Sequence, residues 1–245
     1  MAYTTPEFGW TMDPSGGEGM SVLSTVPTIP VDVVLNGYRQ GRFLMVHDDG
    51  GIHWHDPDPR AVFLLDELRP DSRTARVIRS GRYRVTMNTC FERVMRACAD
   101  RPETWLDERL IQTYTHLHEA GYADSVEVWE GSTLSGGIYG VALGAAFFGE
   151  SMFGKDHAGK VAFHALVDQL RAKGFILFDT QYINPFTRRL GAVELSRDRF
   201  QKDLAEALAR NTSFNQHDAT HTPDSAPSSQ SVNGPIHIAR RGSPH

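Results

Sequence analysis

A long extended stretch, dense in glycine and aromatic residues, most limits what this chain can fold into. Residues 125–129 have the pattern of one strand, and 134–140 and 141–148 have the pattern of two more. Apolar strands of this kind must be buried, so they predict a central sheet. A helix is predicted over 158–173, and a short, fully apolar strand over 175–178 follows it. The element order indicates a mixed sheet with helices on its faces, an α+β or α/β architecture.

Outside this stretch, several segments have helical or extended periodicity. Four more helices are predicted. The first has Thr28 as its N-cap and ends at Gly41, and the second begins at a capping box formed by Thr89 and Glu92. The other two span about 105–120 and 198–210. The turn sequence DDGG separates two extended stretches, which predicts a hairpin. Two more strands are predicted at 61–65 and 83–87.

The two ends of the chain differ in composition from its middle. Residues 1–27 are rich in Gly, Ser, Thr and Pro and predict an irregular lead-in, whereas residues 211–245 have almost nothing to bury and predict a disordered tail. No apolar run approaches the roughly 18 residues of a membrane helix, and no secretory signal is recognisable. Cys90 and Cys98 lie eight positions apart in one predicted helix, too far for a bridge within it. A reducing, cytoplasmic setting is therefore expected.

The charge of the chain is unevenly distributed. The net charge is −5, which argues against a protein that coats nucleic acid by bulk charge, yet ten arginines and only five acidic residues lie between Arg60 and Arg101. Such a local excess is a candidate phosphate-binding face. A solvated surface in a protein that uses Arg in place of Lys explains the same pattern.

Three groups of residues carry chemistry. Glu150 stands in a Gly- and Phe-rich apolar run, where a buried carboxylate must be paired, hydrogen-bonded or functional. Asp179 and Gln181 follow the apolar strand and share one face of it. Trp54, Trp105 and Trp129 are aromatic planes near the Arg-rich stretch and suit base stacking. The alternatives are a Glu that faces water, an Asp and Gln that cap the next element, and tryptophans in the core.

The sequence contains no hydrolase signature, Walker loop or zinc-protease motif, and its histidines do not form a convincing metal site. No metal and no cofactor is therefore expected.

Several longer motifs together resemble the leucyl/phenylalanyl-tRNA–protein transferase family. They are VDVVLNGYRQGRF, WHDPDPRAV, GGIYGVALG followed by GESMF, FDTQ and LGAVELSRDRF, and the resemblance covers about residues 30–205. It implies a cytoplasmic, monomeric enzyme that moves Leu, Phe or Met from aminoacyl-tRNA onto proteins that begin with Arg or Lys and so marks them for degradation in the N-degron pathway. It implies an α+β fold with a small N-terminal domain, 28–68, and an acetyltransferase-like (GNAT-like) mixed-sheet domain, 69–210.

The resemblance also implies roles for individual residues. Glu150, Asp179 and Gln181 are implied to be catalytic, and Trp54 and Trp105 to bind the tRNA 3′ end. The pocket for the transferred side chain is implied to consist of Ile138, Met152, Phe163, Leu166, Leu170 and Phe178. In the basic stretch, Arg60, Arg76, Arg79, Arg82 and Arg84 are then expected to contact tRNA phosphates. Two segments depart from the family pattern: Trp54-His55 replaces a Trp pair, and 184–189 carries two additional arginines.

The implied reaction is aminolysis of an ester. The hypothesis is that Gln181, polarised by Asp179, accepts a hydrogen bond from the attacking amine, while Glu150 holds the donor's α-amino group or its ribose. Glu127, Glu130 and Asp179 are candidates to recognise the acceptor's cationic side chain. The alternatives are an N-acetyltransferase that uses acetyl-CoA, whose phosphate-binding loop we do not find, and a non-catalytic RNA-binding module.

Overall fold

The computed structural model describes residues 26–101 and 104–215. Within these residues the chain forms seven α-helices and nine strands. The helices are α1 (Val31–Arg39), α2 (Ser72–Arg79), α3 (Phe91–Ala99), α4 (Glu108–Glu119), α5 (Ala158–Lys173), α6 (Pro185–Leu190) and α7 (Arg197–Leu208). The strands are β1 (Phe43–Val46), β2 (Ile52–His55), β3 (Arg60–Phe63), β4 (Arg84–Met87), β5 (Ala123–Glu130), β6 (Thr133–Leu143), β7 (Ala146–Gly154), β8 (Leu177–Gln181) and β9 (Ala192–Leu195). Most of the predicted lead-in (1–25) and tail (216–245) lies outside the described residues.

Seven strands form one mixed sheet in the order β4-β5-β6-β7-β8-β3-β9. Neighbouring strands are antiparallel except β7 and β8, which run parallel. One apolar core packs α1, α3, α4 and α7 on one face of the sheet, and a second core packs α5 on the other. The predicted α+β class with a mixed sheet is confirmed. Among the described helices even α5, at 16 residues, is too short to span a membrane.

The segment predicted as a small N-terminal domain contributes a strand to the larger sheet. Its β3 pairs with β8 on one side and β9 on the other, although both partners come late in the chain. The remainder of the segment forms α1 and the β1–β2 hairpin that DDGG predicts. A boundary at residue 68 therefore separates strands that are hydrogen-bonded to each other, and the division into two domains stays a prediction.

The strand prediction over 134–148 is wrong in its boundaries. The chain runs through Gly140 as one strand, β6, and turns only at Gly144, whose φ of +54° suits glycine. Gly140 serves a different purpose, because a Cβ there would lie 2.2 Å from the Phe148 carbonyl oxygen. The glycine at 140 therefore marks a close approach between two strands rather than a turn.

The start of α3 also differs from its prediction. Cys90, not Thr89, occupies the N-cap position, and no capping box forms. Instead, the buried Glu127 carboxylate on β5 accepts hydrogen bonds from the backbone N–H groups of Thr89 and Cys90. A carboxylate distant in sequence thus satisfies the orphan donors that a local cap would have satisfied.

Helices with a broad apolar stripe were predicted most accurately. The bounds of α5 are as predicted, whereas α1 begins at Val31 after Pro30, and α4 begins after its N-cap Asp107 rather than at Trp105. The sequence analysis missed α2, α6 and β9. For the two helices the reason is that α2 buries only Thr74 and α6 buries no residue, so neither has a broad apolar stripe.

The segment predicted to be disordered after residue 210 begins with ordered chain. Phe214 is buried, and its ring centroid lies 5.8 Å from that of Phe147 in the sheet. Asn215 donates a hydrogen bond to Asp124. One aromatic residue therefore fixes the first part of a segment whose composition is otherwise polar.

Candidate active site

A cavity of about 310 Å³ opens beside the parallel pair β7 and β8. Its walls come from β1, β3, β6, β7, β8, α5, the segment through α6, and the chain between α3 and α4. Seven of the predicted site residues line it: Trp105, Ile138, Glu150, Met152, Phe163, Phe178 and Gln181. Residues that are far apart in sequence therefore meet at one place, as the motifs predicted.

The apolar part of the cavity is an aromatic cluster. The Phe163 and Phe178 rings stack 5.9 Å apart, and Phe63, which the sequence analysis missed, packs against both rings at 4.8 and 5.0 Å. Leu166 and Leu170, predicted as pocket residues, do not line the cavity. Both are fully buried in the core of α5, because this helix turns their side chains away from the opening.

Glu150 is the buried carboxylate of the cavity, with 7% of its surface exposed. Its Oε1 accepts hydrogen bonds from Tyr38 Oη (2.7 Å) and Gln181 Nε2 (3.0 Å), and its Oε2 accepts one from Tyr114 Oη (3.2 Å). Burial raises the pKa of Glu150 to about 8; the hydrogen bond from Tyr38 opposes this shift, and the nearby charge of Asp179 adds to it. With this pKa, most of the Glu150 carboxyl groups are protonated at pH 7.

Tyr38 and Tyr114, which the sequence analysis did not name as site residues, hold the Glu150 carboxylate in place. Both are fully buried, and their hydroxyl oxygens lie 2.5 Å apart. They come from α1 and α4, so two helices on one face of the sheet fix the position of Glu150. The sequence did offer a signal for them: each is a tyrosine among the apolar positions of a helix, and a buried phenol needs a polar partner.

Asp179 forms a buried ion pair with Arg60. Arg60 donates through Nε to Oδ1 (2.8 Å) and through Nη2 to Oδ2 (2.6 Å), and neither residue is exposed. The guanidinium also donates to the Gly41 carbonyl oxygen and lies between the rings of Phe43 and Phe200. The prediction that Arg60 contacts tRNA phosphates is therefore wrong, since its charge is neutralised inside the protein.

Gln181 ends β8 in a left-handed conformation with φ +64°, which is uncommon for a residue with a side chain. Its backbone N–H donates to Asp179 Oδ1 at 3.0 Å, whereas its side-chain Nε2 donates to Glu150. The carboxylate that polarises the Gln181 amide is thus Glu150 and not Asp179, contrary to the expected arrangement. Among the described residues, the amide oxygen Oε1 has no hydrogen-bond donor and can accept one from a ligand.

The two tryptophans predicted to bind RNA occupy different places. Trp105 is half-buried and lines the cavity. Trp54 does not line it: its ring packs against α1 so closely that a Cβ on Gly37 would lie 2.1 Å from ring atoms. The structure therefore gives Trp54 a packing role between the hairpin and α1, and its stacking on a base stays a prediction.

The four remaining arginines of the predicted phosphate face are exposed and lie outside the cavity wall. Arg76 and Arg79 are in the last turn of α2, Arg82 pairs with Glu130 at 2.8 Å, and Arg84 lies over the Trp129 ring. Glu130, one of the three acids expected to recognise the acceptor's cationic side chain, is therefore already paired with Arg82 on the surface.

The other two candidate acids are also occupied within the protein. Glu127 is fully buried among donors at the start of α3, and Asp179 is neutralised by Arg60. The cavity wall beside Gln181 consists instead of Tyr182, Asn184 and Thr187.

Comparison with known proteins gives consistent matches. A model of the family "Leucyl/phenylalanyl-tRNA protein transferase" matches residues 62–205, and a model of its N-terminal domain matches residues 28–58. A leucyl/phenylalanyl-tRNA–protein transferase of Gloeobacter violaceus is 48% identical over 184 residues, 74% of this chain and 95% of that relative. One from Cereibacter sphaeroides is 48% identical over 191 residues, 77% and 89% of the two chains. The solved structure of L-PGS from Bacillus licheniformis aligns with 71% of this chain and 68% of its own at 10% identity and a TM-score of 0.37, too low to support a conclusion.

The raised pKa of Glu150 predicts a pH-dependent stability. The group titrates near 4.5 when unfolded and near 8 when folded, so the native state holds its proton more tightly, and the free energy of unfolding falls as pH rises through this window. Glu150→Gln removes this titration. Between pH 5 and pH 9, the free energy of unfolding of the variant should rise by on the order of a few kcal/mol relative to that of the parent protein, measured by urea unfolding. Glu119→Gln, an exposed carboxylate on α4, is the control, and parallel curves for parent and Glu150→Gln would contradict the prediction.

Proposed function

The chain belongs to the leucyl/phenylalanyl-tRNA–protein transferase family, and we propose that it transfers Leu, Phe or Met from aminoacyl-tRNA to the N-terminal Arg or Lys of acceptor proteins. It is an aminoacyltransferase. The observation that carries the proposal is the arrangement of one cavity, apolar at Phe63, Phe163 and Phe178 and polar at the hydrogen-bonded pair Glu150 and Gln181. This arrangement suits an amino acid whose side chain is apolar and whose α-amino and ester groups are polar.

The finer assignments of fold and setting belong to the same proposal. The mixed sheet with helices on both faces supports an acetyltransferase-like domain over 69–210, joined to the small segment 28–68. The enzyme acts as a monomer in the cytoplasm, and the new N-terminal residue marks the acceptor for degradation.

The donor's side chain occupies the aromatic end of the cavity. Ile138, Met152, Phe163 and Phe178 offer a purely apolar lining, and the flexible thioether of Met152 adapts to side chains of different shape. Leu, Phe and Met are unbranched at Cβ, so each fits such a lining. A β-branched side chain is disfavoured by roughly 1–3 kcal/mol for each methyl group that does not fit.

Glu150 and Gln181 position the two amines. The donor's α-ammonium approaches Glu150, whose raised pKa falls as the positive charge arrives, and the resulting ion pair holds the ester beside Gln181. The free Oε1 of Gln181 accepts a hydrogen bond from the neutral amine of the acceptor, which aligns its lone pair with the ester carbonyl. An amide is not a base, so Gln181 positions the amine rather than deprotonating it.

The reaction balances without a cofactor. The amine nitrogen bonds to the carbonyl carbon, the bond from that carbon to the ribose oxygen breaks, and the departing oxygen takes a proton from the amine. The ester supplies the driving force, so the protein contributes mainly by positioning the reactants. The acceptor side of the cavity is formed by Tyr182, Asn184 and Thr187, within the segment that departs from the family pattern.

A single assay tests the proposed reaction. Labelled leucyl-tRNA is incubated with the enzyme and an acceptor protein that begins with Arg, and acid-insoluble label is counted. Label should accumulate on this acceptor and not on the same protein with an N-terminal Ser, and labelled acetyl-CoA should give none. Label from acetyl-CoA alone would establish the acetyltransferase alternative, and binding of tRNA without transfer would establish the RNA-binding alternative.

The positioning role of Gln181 predicts a specific defect. Gln181→Ala should lower the single-turnover rate of transfer about 100-fold, because the attacking amine loses its alignment, while the affinity for leucyl-tRNA stays within about twofold. Gln201→Ala on α7 removes a glutamine outside the cavity and serves as the matched control. A near-normal rate for Gln181→Ala would remove this residue from the mechanism.

The exposed arginines of α2 predict salt-dependent tRNA binding. The double variant Arg76→Glu and Arg79→Glu should weaken binding of tRNA, and it should make the slope of log affinity against log salt shallower by about 0.9 for each phosphate that the variant no longer neutralises. The control is the double variant Arg199→Glu and Lys202→Glu, which makes the same change in charge at two exposed positions of α7. If both pairs have equal effects, α2 does not contact the tRNA.

A further inference from the structure

Arg101 is the cationic residue of the cavity wall. Among the described residues that line the cavity, it alone carries a permanent positive charge. It follows α3 and lies four positions before Trp105, which lines the same cavity. The guanidinium therefore shares the cavity with the Trp105 ring, against which the donor's terminal nucleoside would lie.

The guanidinium is held in place by neutral groups. Its Nε donates to the Cys98 carbonyl oxygen at 2.7 Å, and its Nη2 donates to Ser151 Oγ at 3.0 Å and the Met152 carbonyl oxygen at 3.3 Å. These contacts fix the group between α3 and β7. Among the described residues its hydrogen-bond partners are uncharged oxygen atoms, so its positive charge remains available to a ligand.

Three other arginines of the basic stretch are instead neutralised by carboxylates. Arg60 is neutralised by Asp179, Arg82 pairs with Glu130, and Arg96 pairs with both Glu92 and Glu108. A guanidinium that is oriented yet not neutralised by a carboxylate is what binding of an anion requires, because no internal ion pair has to be broken first.

We propose that Arg101 binds the 5′-phosphate of the terminal adenosine of the donor RNA and thereby distinguishes a nucleotide ester from a nucleoside ester. This inference rests on the proposed function and names a specificity residue within it. The phosphate is joined to the same ribose that carries the aminoacyl ester, so it must lie close to the cavity once the ester is beside Gln181.

The test compares two minimal donors. One is the phenylalanyl ester of adenosine, and the other is the phenylalanyl ester of adenosine 5′-monophosphate, each with an Arg-initiated peptide as acceptor. For the parent protein, the KM for the phosphorylated donor should be about 10-fold lower, which is typical of one charge-assisted contact. In Arg101→Ala, the ratio of the two KM values should fall to about one, because neither donor gains from the missing guanidinium. Arg101→Lys should restore part of the difference.

The outcomes separate this inference from the proposed function. Equal KM values in the parent protein, or a persistent difference in Arg101→Ala, would overturn the assignment of Arg101 while transfer itself continues. Absence of peptide-bond formation from both donors and from full-length phenylalanyl-tRNA would instead overturn the proposed function. Arg199→Ala, an exposed arginine on α7 that pairs with Asp203, removes the same charge outside the basic stretch and should keep the 10-fold difference. Folding of Arg101→Ala is checked separately, by a thermal unfolding midpoint close to that of the parent protein.

Discussion

The buried ion pair between Arg60 and Asp179 is the interaction on which the geometry of the site depends. It joins β3 to β8, and through the Gly41 carbonyl and the Phe200 ring it also reaches the ends of α1 and α7. Asp179 in turn accepts the backbone N–H of Gln181, which holds that residue in its unusual left-handed conformation. Removing either charge would leave the other buried and unpaired, at a cost of roughly 3–5 kcal/mol.

Asp179 and Glu150 are two buried carboxylates close to each other, and their different hydrogen-bond partners give them different properties. Asp179 faces a guanidinium and remains structural, whereas Glu150 faces two phenols and an amide, which are neutral donors, and keeps a raised pKa. Neutral donors compensate less for burial than a cation does, so Glu150 stays able to exchange its proton. The helices that carry Tyr38 and Tyr114 therefore help to set the pKa of Glu150 as well as forming the core.

The sequence predicted what periodicity and motifs encode and failed where tertiary contacts decide. The mixed sheet and the bounds of α5 followed from local patterns, and the meeting of Glu150, Gln181 and Trp105 at one cavity followed from the family resemblance. The burial of Arg60 did not, because an arginine on a short strand has the same local signal whether it meets RNA or a buried aspartate. The family resemblance placed Leu166 and Leu170 in the pocket, and the helix pattern could not correct this, because α5 is buried over most of its surface.

Helix α6 is attached to the molecule in a way that leaves its sequence largely free. None of its residues is buried, and the capping box formed by Asn184 and Thr187 holds it by local hydrogen bonds. Substitutions on its surface therefore leave the core of the sheet intact, although its first turn supplies part of the cavity wall. Single substitutions in α6 can therefore change this wall during evolution while the protein stays folded. Asp179 on β8 has no such tolerance, because it is buried and paired with Arg60.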